Sequence, residues 1–239
     1  MKSTILLFAA LSAFAAEPIA LDERAKMLAS FEKVASDATT LVESKAGAEL
    51  IRALSQRGDA YQFLGKAKEA VADFEKMIAL DPAQDAPHWR LGIAYYFAGD
   101  FAKSAKQFEK YHAYDNRDRE NGVWKFFAQA KVDGIEKARK EMLEYTRFDR
   151  EPFPAVYEML AGKKTGEEVL AEMEKKGLKD DALVMFFAHY YVGWNAQLLG
   201  QPSAKSHFAK AVGLARSAGA GGGPGYMGQV ARLHFEAMK

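Results

Sequence analysis

The side chains able to do acid–base or metal chemistry are five histidines and 32 carboxylates. His88, His112, His189, His207 and His234 are scattered. No two stand four apart with a Glu between them, so the spacing of a helical zinc site is missing. They read as surface or packed histidines. So many carboxylates leave paired-acid hydrolysis open on composition alone. No Gly-x-Ser-x-Gly elbow is present, and no phosphate-binding Gly-Lys-Thr or Gly-x-Gly-x-x-Gly loop is expected. Gly221-Gly222-Gly223-Pro224-Gly225 is glycine-rich, but it follows a helical pattern and has no Lys. It reads as a flexible connection. The absence of cysteine excludes disulfides, thiolate zinc sites, iron–sulfur clusters, a cysteine nucleophile and a lipid anchor on an N-terminal cysteine. The expectation is a chain that is not an enzyme and takes no cofactor or metal.

The elements around these residues belong to a globular chain. Of 239 residues, 49% are hydrophobic and 27% charged, enough apolar matter for a sizeable core. Lys and Arg number 33 against 32 acidic residues, a net charge of +1. That leaves no global field to draw in nucleic acid or an anionic membrane. Met1-Lys2, the apolar run with Ile5, Leu6, Leu7, Phe8 and Leu11, and Ala13-Phe14-Ala15 follow the order of a secretory signal, with cleavage expected after Ala15 and Ala16 as the second choice. The run is too short to span a bilayer, which takes roughly 20 residues. The mature chain is therefore expected to be exported, periplasmic or secreted, without a membrane span or lipid anchor.

An internal repeat dominates the rest. Gly58-Asp59-Ala60-Tyr61, Gly65, Ala70, Phe74, Met77 and Pro82 recur 34 residues later as Gly92-Ile93-Ala94-Tyr95, Gly99, Ser104, Phe108, Tyr111 and Asn116. The glycines at 58 and 92 allow close helix approach, those at 65 and 99 allow a turn, and the phenylalanines fill the gap between units. This pattern resembles the tetratricopeptide repeat, a helix–turn–helix unit, with repeats over 51–84 and 85–118. A third unit, 119–150, opens on Trp124, with Gly134, Ala138 and Met142 at its turn and packing places. A fourth, 183–217, has Gly193, Gly200, Ala204, Phe208 and Ala211. Between them, Pro152 and Pro154 break the chain before a short helix ending at Ala161-Gly162. Thr165-Gly166-Glu167-Glu168 then forms a capping box ahead of a further helix. Within 16–50, a stripe of Leu28, Phe31, Ala35, Ala38 and Leu41 marks a helix over about 21–45 that caps the first repeat. A last helix is expected from about 226 to 238. The expected fold is an all-α tetratricopeptide superhelix of about four helix pairs, with extra N-terminal, middle and C-terminal helices and a C-terminal helical region over 151–239.

The order of elements also resembles the NlpI-type bacterial envelope proteins. The resemblance rests on two good repeats, the third opened by Trp124, the Phe153-Pro154-Ala155-Val156-Tyr157 helix, the Thr165 capping box and the Phe186-to-Gly193 stretch. It implies a non-enzymatic adaptor that binds cell-wall hydrolases or presents one to a periplasmic protease, and a dimer in the type example. This chain departs from the type member in having no cysteine to lipidate, and its glycine-rich loop at 219–225 is unusual.

In such folds the first helix of each pair lines a concave groove. The repeat register places Arg52, Ser55, Asp59, Gln62 and Phe63 there from the first unit and Trp89, Ile93, Tyr96 and Phe97 from the second. The third adds Val123, Phe127 and Lys131, and the fourth Phe187, Tyr190, Trp194 and Leu198. Concave aromatics suit an apolar peptide or partner helix, with Arg52, Gln62 and Lys131 setting its direction. Two other readings stand beside that one. The helices at 21–45 and 152–176 could fold back and use the same aromatics as core, or a second copy of the chain could cover the apolar surface. The charge runs Asp115-Asn116-Arg117-Asp118-Arg119-Glu120 and Arg147-Phe148-Asp149-Arg150-Glu151 read as solvated loops.

Overall fold

A computed structural model describes residues 18–217 and 224–238. The expected signal at 1–15 and most of the glycine-rich connection lie outside the described residues. Among the described residues the fold is all-α: twelve helices, packed largely in consecutive pairs, wind into a tetratricopeptide superhelix. They are α1 (Leu21–Ser44), α2 (Gly47–Phe63), α3 (Ala67–Leu80), α4 (Trp89–Ala98), α5 (Phe101–Tyr114), α6 (Arg119–Asp133), α7 (Ile135–Lys140), α8 (Phe153–Leu160), α9 (Gly166–Lys175), α10 (Ala182–Leu198), α11 (Ala204–Ser217) and α12 (Tyr226–Ala237).

The two clearest repeats, α2/α3 and α4/α5, are built alike. A Cβ placed on Gly58 would stand 2.5 Å from the Phe74 ring, and one on Gly92 would stand 2.7 Å from the Phe108 ring. Each phenylalanine therefore lies flat against the backbone of the preceding helix. The turns pass through Gly65 and Gly99 at φ of 74° and 84°, a region other residues avoid. Ser104 Oγ donates to the Gly92 carbonyl at 2.8 Å, tying the second pair together where Ala70 packs in the first. Asp81 caps the short 3₁₀ turn Pro82–Gln84 that follows α3.

Further along, the pairs lose regularity. The second helix of the third unit, α7, ends at Lys140, just short of Met142, and residues 141–152 form no helix. α8 and α9 pack on each other and on α10, and the Thr165 capping box is formed with both of its hydrogen bonds. α6 and α10 are buried along most of their length, because they run through the middle of the molecule with neighbours on all sides. Phe127 of α6 and Trp194 of α10 stack at 4.0 Å between centroids and 9° between planes.

The two charge runs are only partly solvated. Arg117 is exposed and pairs with Asp115, but the ends of the runs meet. Arg150 donates to Glu120 at 2.6 Å and to Asp118 at 3.2 Å, and Asp149 accepts from the Arg119 backbone N–H at 2.9 Å. Tyr191 of α10 donates to the other Glu120 oxygen at 2.6 Å. Burial pushes the Glu120 carboxyl up to about 7, opposed by Arg150. The runs are 30 residues apart and join only because α6 and the approach to α8 are brought side by side.

Candidate functional site: a groove around the last helix

The first helices of the pairs do share an inner face, and α12 lies in it. α12 carries Met227, Val230, Ala231 and His234 at helical spacing, all buried. Its Tyr226 ring meets Phe63 of α2 at 4.8 Å and Trp89 of α4 at 5.0 Å, both edge-on. His234 meets Phe97 of α4 at 4.7 Å, Trp194 of α10 at 4.6 Å and Phe208 of α11 at 5.5 Å. One helix touches α2, α4, α6, α10 and α11 at once only by running inside the superhelix. The open groove expected from the repeats is therefore filled. The element that fills it is the last helix, where the helices at 21–45 and 152–176 were the expected covers. α1 contributes at one end, through Phe31 against Phe63 at 5.1 Å, and α8 covers Phe187 through Phe153 at 5.3 Å.

Three polar contacts fix α12 in place. Tyr190 of α10 and Nδ1 of His234 stand 2.8 Å apart. Burial lowers the His234 imidazole to about 3 and raises the Tyr190 hydroxyl well above its ordinary value. The imidazole is thus neutral, and the Tyr190 O–H is able to donate to it. Arg232, only 2% exposed, donates to Gln229, to Glu236 and to the Phe63 carbonyl at the end of α2. Glu236 in turn accepts from Arg24 of α1 at 2.6 Å. A buried guanidinium is tolerable only with such partners. On the far side, Arg216 of α11 reaches Glu23 and the Pro18 carbonyl, so the two ends of the superhelix are tied together.

The ten residues expected to bind a partner separate into three groups. Phe63, Trp89, Tyr96 and Phe97 meet α12 through their rings. Ile93 and Phe127 are core, each 1% exposed. Arg52 and Lys131 are exposed, while Asp59 and Gln62 sit inside, Asp59 paired with Arg90, which also donates to Ser55. Burial raises the Asp59 carboxyl to about 6, against the pull of Arg90. Sequence reasoning missed Tyr226, Arg232 and His234. Their signal was an arginine and a histidine on the apolar face of a short terminal helix.

These repeat units have a counterpart among known families. Residues 51–84 match the tetratricopeptide repeat model. That is the first of the two best-formed pairs, α2/α3, and tetratricopeptide repeats mediate protein–protein contacts. No curated protein matches the chain. Gly223, Gly225 and Gly228 do have Gly-x-Gly-x-x-Gly spacing. In sequence they follow α11 and run into α12, however, and among the described residues no strand precedes them to feed a dinucleotide loop. Among the described residues no group of three or more His, Cys, Asp or Glu could hold a metal, and no helix is long and apolar enough to cross a membrane.

Proposed function

We propose that this chain is an exported, non-enzymatic adaptor that binds a helical segment of a partner protein in its concave groove. The observation that carries the reading is that the groove holds a helix, α12, on an aromatic floor. A surface that accepts one amphipathic helix has the width and chemistry to accept another, the helix-in-groove mode of recognition. The export half of the reading rests on the Met1-to-Ala15 pattern. The likeness to NlpI-type envelope proteins makes cell-wall hydrolases and a periplasmic protease the first partners to test. Arg52 and Lys131, both exposed and assigned to the groove by the repeat register, suit a photo-crosslinking amino acid. Irradiation in an envelope extract should attach a partner through a segment that is helical in that partner. Cross-links confined to this chain would sink the adaptor reading.

A second reading is a self-associating scaffold, favoured by Leu21, Val34 and Leu41 of α1, which are 80%, 43% and 39% exposed. Sedimentation over a hundredfold range of concentration separates the two. A mass that rises to a dimer, and falls when Val34→Glu is introduced, supports the scaffold.

A further inference from the structure

The two ends of α12 fit the groove unequally. The C-terminal part is fully tied, through His234 to Tyr190, Arg232 to the Phe63 carbonyl and Glu236 to Arg24. The first turn is not. Asp59 Oδ1 and the Tyr226 hydroxyl are buried there without a hydrogen-bond partner in the protein. Asp59 belongs to α2, one turn before Phe63, on which Tyr226 packs. Asp59 is close enough to act on the Tyr226 hydroxyl electrostatically. The first turn has no side-chain cap, and its Met227 and Gly228 N–H groups are met by the Pro224 and Gly225 carbonyls instead. Buried polar groups are normally paired, so this end of the interface favours any occupant that supplies the missing bonds.

We propose that α12 is a resident, exchangeable ligand of the groove. The partner that replaces it is an amphipathic helix with apolar anchors spaced like Met227, Val230, Ala231 and His234. Where α12 has Tyr226, that helix carries an ammonium on an apolar stem, which packs on Phe63 and Trp89 and donates to Asp59. The proposal rests on the groove-binding reading above. The magnitude of the competition fits it. α12 is joined to α11 through residues 218–225, and a short connection holds a segment at an effective concentration on the order of millimolar. A partner at about 1 μM therefore starts with a handicap of roughly 1,000-fold. Pairing the buried Asp59 carboxylate with a charged donor, and removing the unpaired Tyr226 hydroxyl, is an advantage of that order.

A reversible lock tests the exchange. A Cβ on Gly228 of α12 would stand 3.3 Å from the Ala215 Cβ of α11, close to disulfide spacing, and the chain has no other cysteine. The full chain carrying Ala215→Cys and Gly228→Cys is titrated with a fluorescein-labelled peptide of residues 224–238, and with the same peptide carrying Tyr226→Lys, whose stem and ammonium can still pack on Phe63 and Trp89. In the reduced protein both peptides should bind, the Lys peptide about fivefold tighter or more. Oxidation should weaken both by about tenfold or more. Equal binding before and after oxidation, no binding to the reduced chain, or no gain from Lys overturns the proposal. If circular dichroism shows that the cysteine pair disturbs folding, Glu236→Gln in the otherwise native chain answers instead. It loosens the ties to Arg24 and Arg232 and should tighten the peptide about threefold, while unchanged binding overturns exchange. Peptide exchange with no cross-linked partner would sink the adaptor reading alone. A cross-linked partner with no peptide exchange would sink only the role given to α12.

Discussion

Nδ1 of His234 lies 2.8 Å from the Tyr190 hydroxyl, and this polar contact joins the last helix to α10, a helix buried along most of its length. Around it stand the rings of Tyr96, Phe97, Trp124, Trp194 and Phe208. A polar pair inside so much apolar surface fixes register, since any slip of α12 would leave both groups unpaired. It also makes the docked helix depend on the imidazole being neutral.

That dependence has a sign. The docked imidazole is lowered to about 3 from its ordinary 6.5. Its contribution is full above pH 6.5 and is lost as pH falls from 6.5 toward 3. The groups facing it are the neutral hydroxyls of Tyr96 and Tyr190, and Lys131, which pushes in the same direction. Asp59 and Glu120, raised to about 6 and 7, work the other way, so wild-type stability alone is not diagnostic. The comparison with His234→Phe is diagnostic. The wild type should lose about 2 kcal/mol relative to that variant between pH 7.5 and pH 5, read by urea unfolding. A difference that does not change with pH would place the histidine elsewhere.

The clash at Gly92 gives a stability test of the repeat. Alanine is the better helix former by about 1 kcal/mol. Its Cβ would nevertheless stand 2.7 Å from the Phe108 ring, and overpacking of this kind costs about 1–3 kcal/mol. Gly92→Ala should therefore lower Tm by several degrees. Adding Phe108→Leu to Gly92→Ala should cost less than the two single losses summed. Strict additivity would mean that the ring does not rest on that glycine.

How far the residues foretold this follows from how far apart the contacts lie. Gly58 with Phe74, and Gly92 with Phe108, are pairings within one unit, and the recurrence at 34 residues exposed them directly. The helix at 226–237 was legible from its own periodicity, but periodicity does not tell which surface an apolar face will cover. Arg232 and Phe63 are 169 positions apart, and nothing local links them. The same holds for Glu120 with Arg150 and Tyr191. Charged residues in a run look solvated until a second run is folded against the first.

That network gives a second pH-dependent test, of opposite character. Glu120 is raised to about 7 by burial and held down by Arg150. Arg150→Ala removes the cation and leaves a carboxyl that is easy to bury only when protonated. At pH 5 Glu120 is protonated in the folded state and the loss should be small. At pH 8 the folded state must either hold a proton or bury an unpaired carboxylate, and the loss should reach about 2–4 kcal/mol. Adding Glu120→Gln to Arg150→Ala should remove the pH dependence. A loss that is the same at both pH values would show that Arg150 acts through its contact over the Phe153 ring at 4.4 Å instead.

Trp89 and Tyr96, both expected to face a partner, should now behave differently. Tyr96 is 8% exposed, and its hydroxyl accepts from the Trp194 indole N–H at 3.3 Å. Tyr96→Ala removes packing against Trp124, Trp194 and Phe101 together, and a change of that size in a core costs about 3–5 kcal/mol. Trp89 is half-buried at the first turn of α4, and its ring contact is with Tyr226. Trp89→Ala should cost about 1–2 kcal/mol of global stability, because little besides α12 leans on it. Amide hydrogen exchange resolves the two. Trp89→Ala should speed exchange along α12 while α3, α5 and α6 keep their protection, whereas Tyr96→Ala should speed exchange in α4, α6 and α10 as well. Uniform acceleration by Trp89→Ala would mean that α12 cannot loosen without the superhelix unfolding, and that the groove has a permanent occupant.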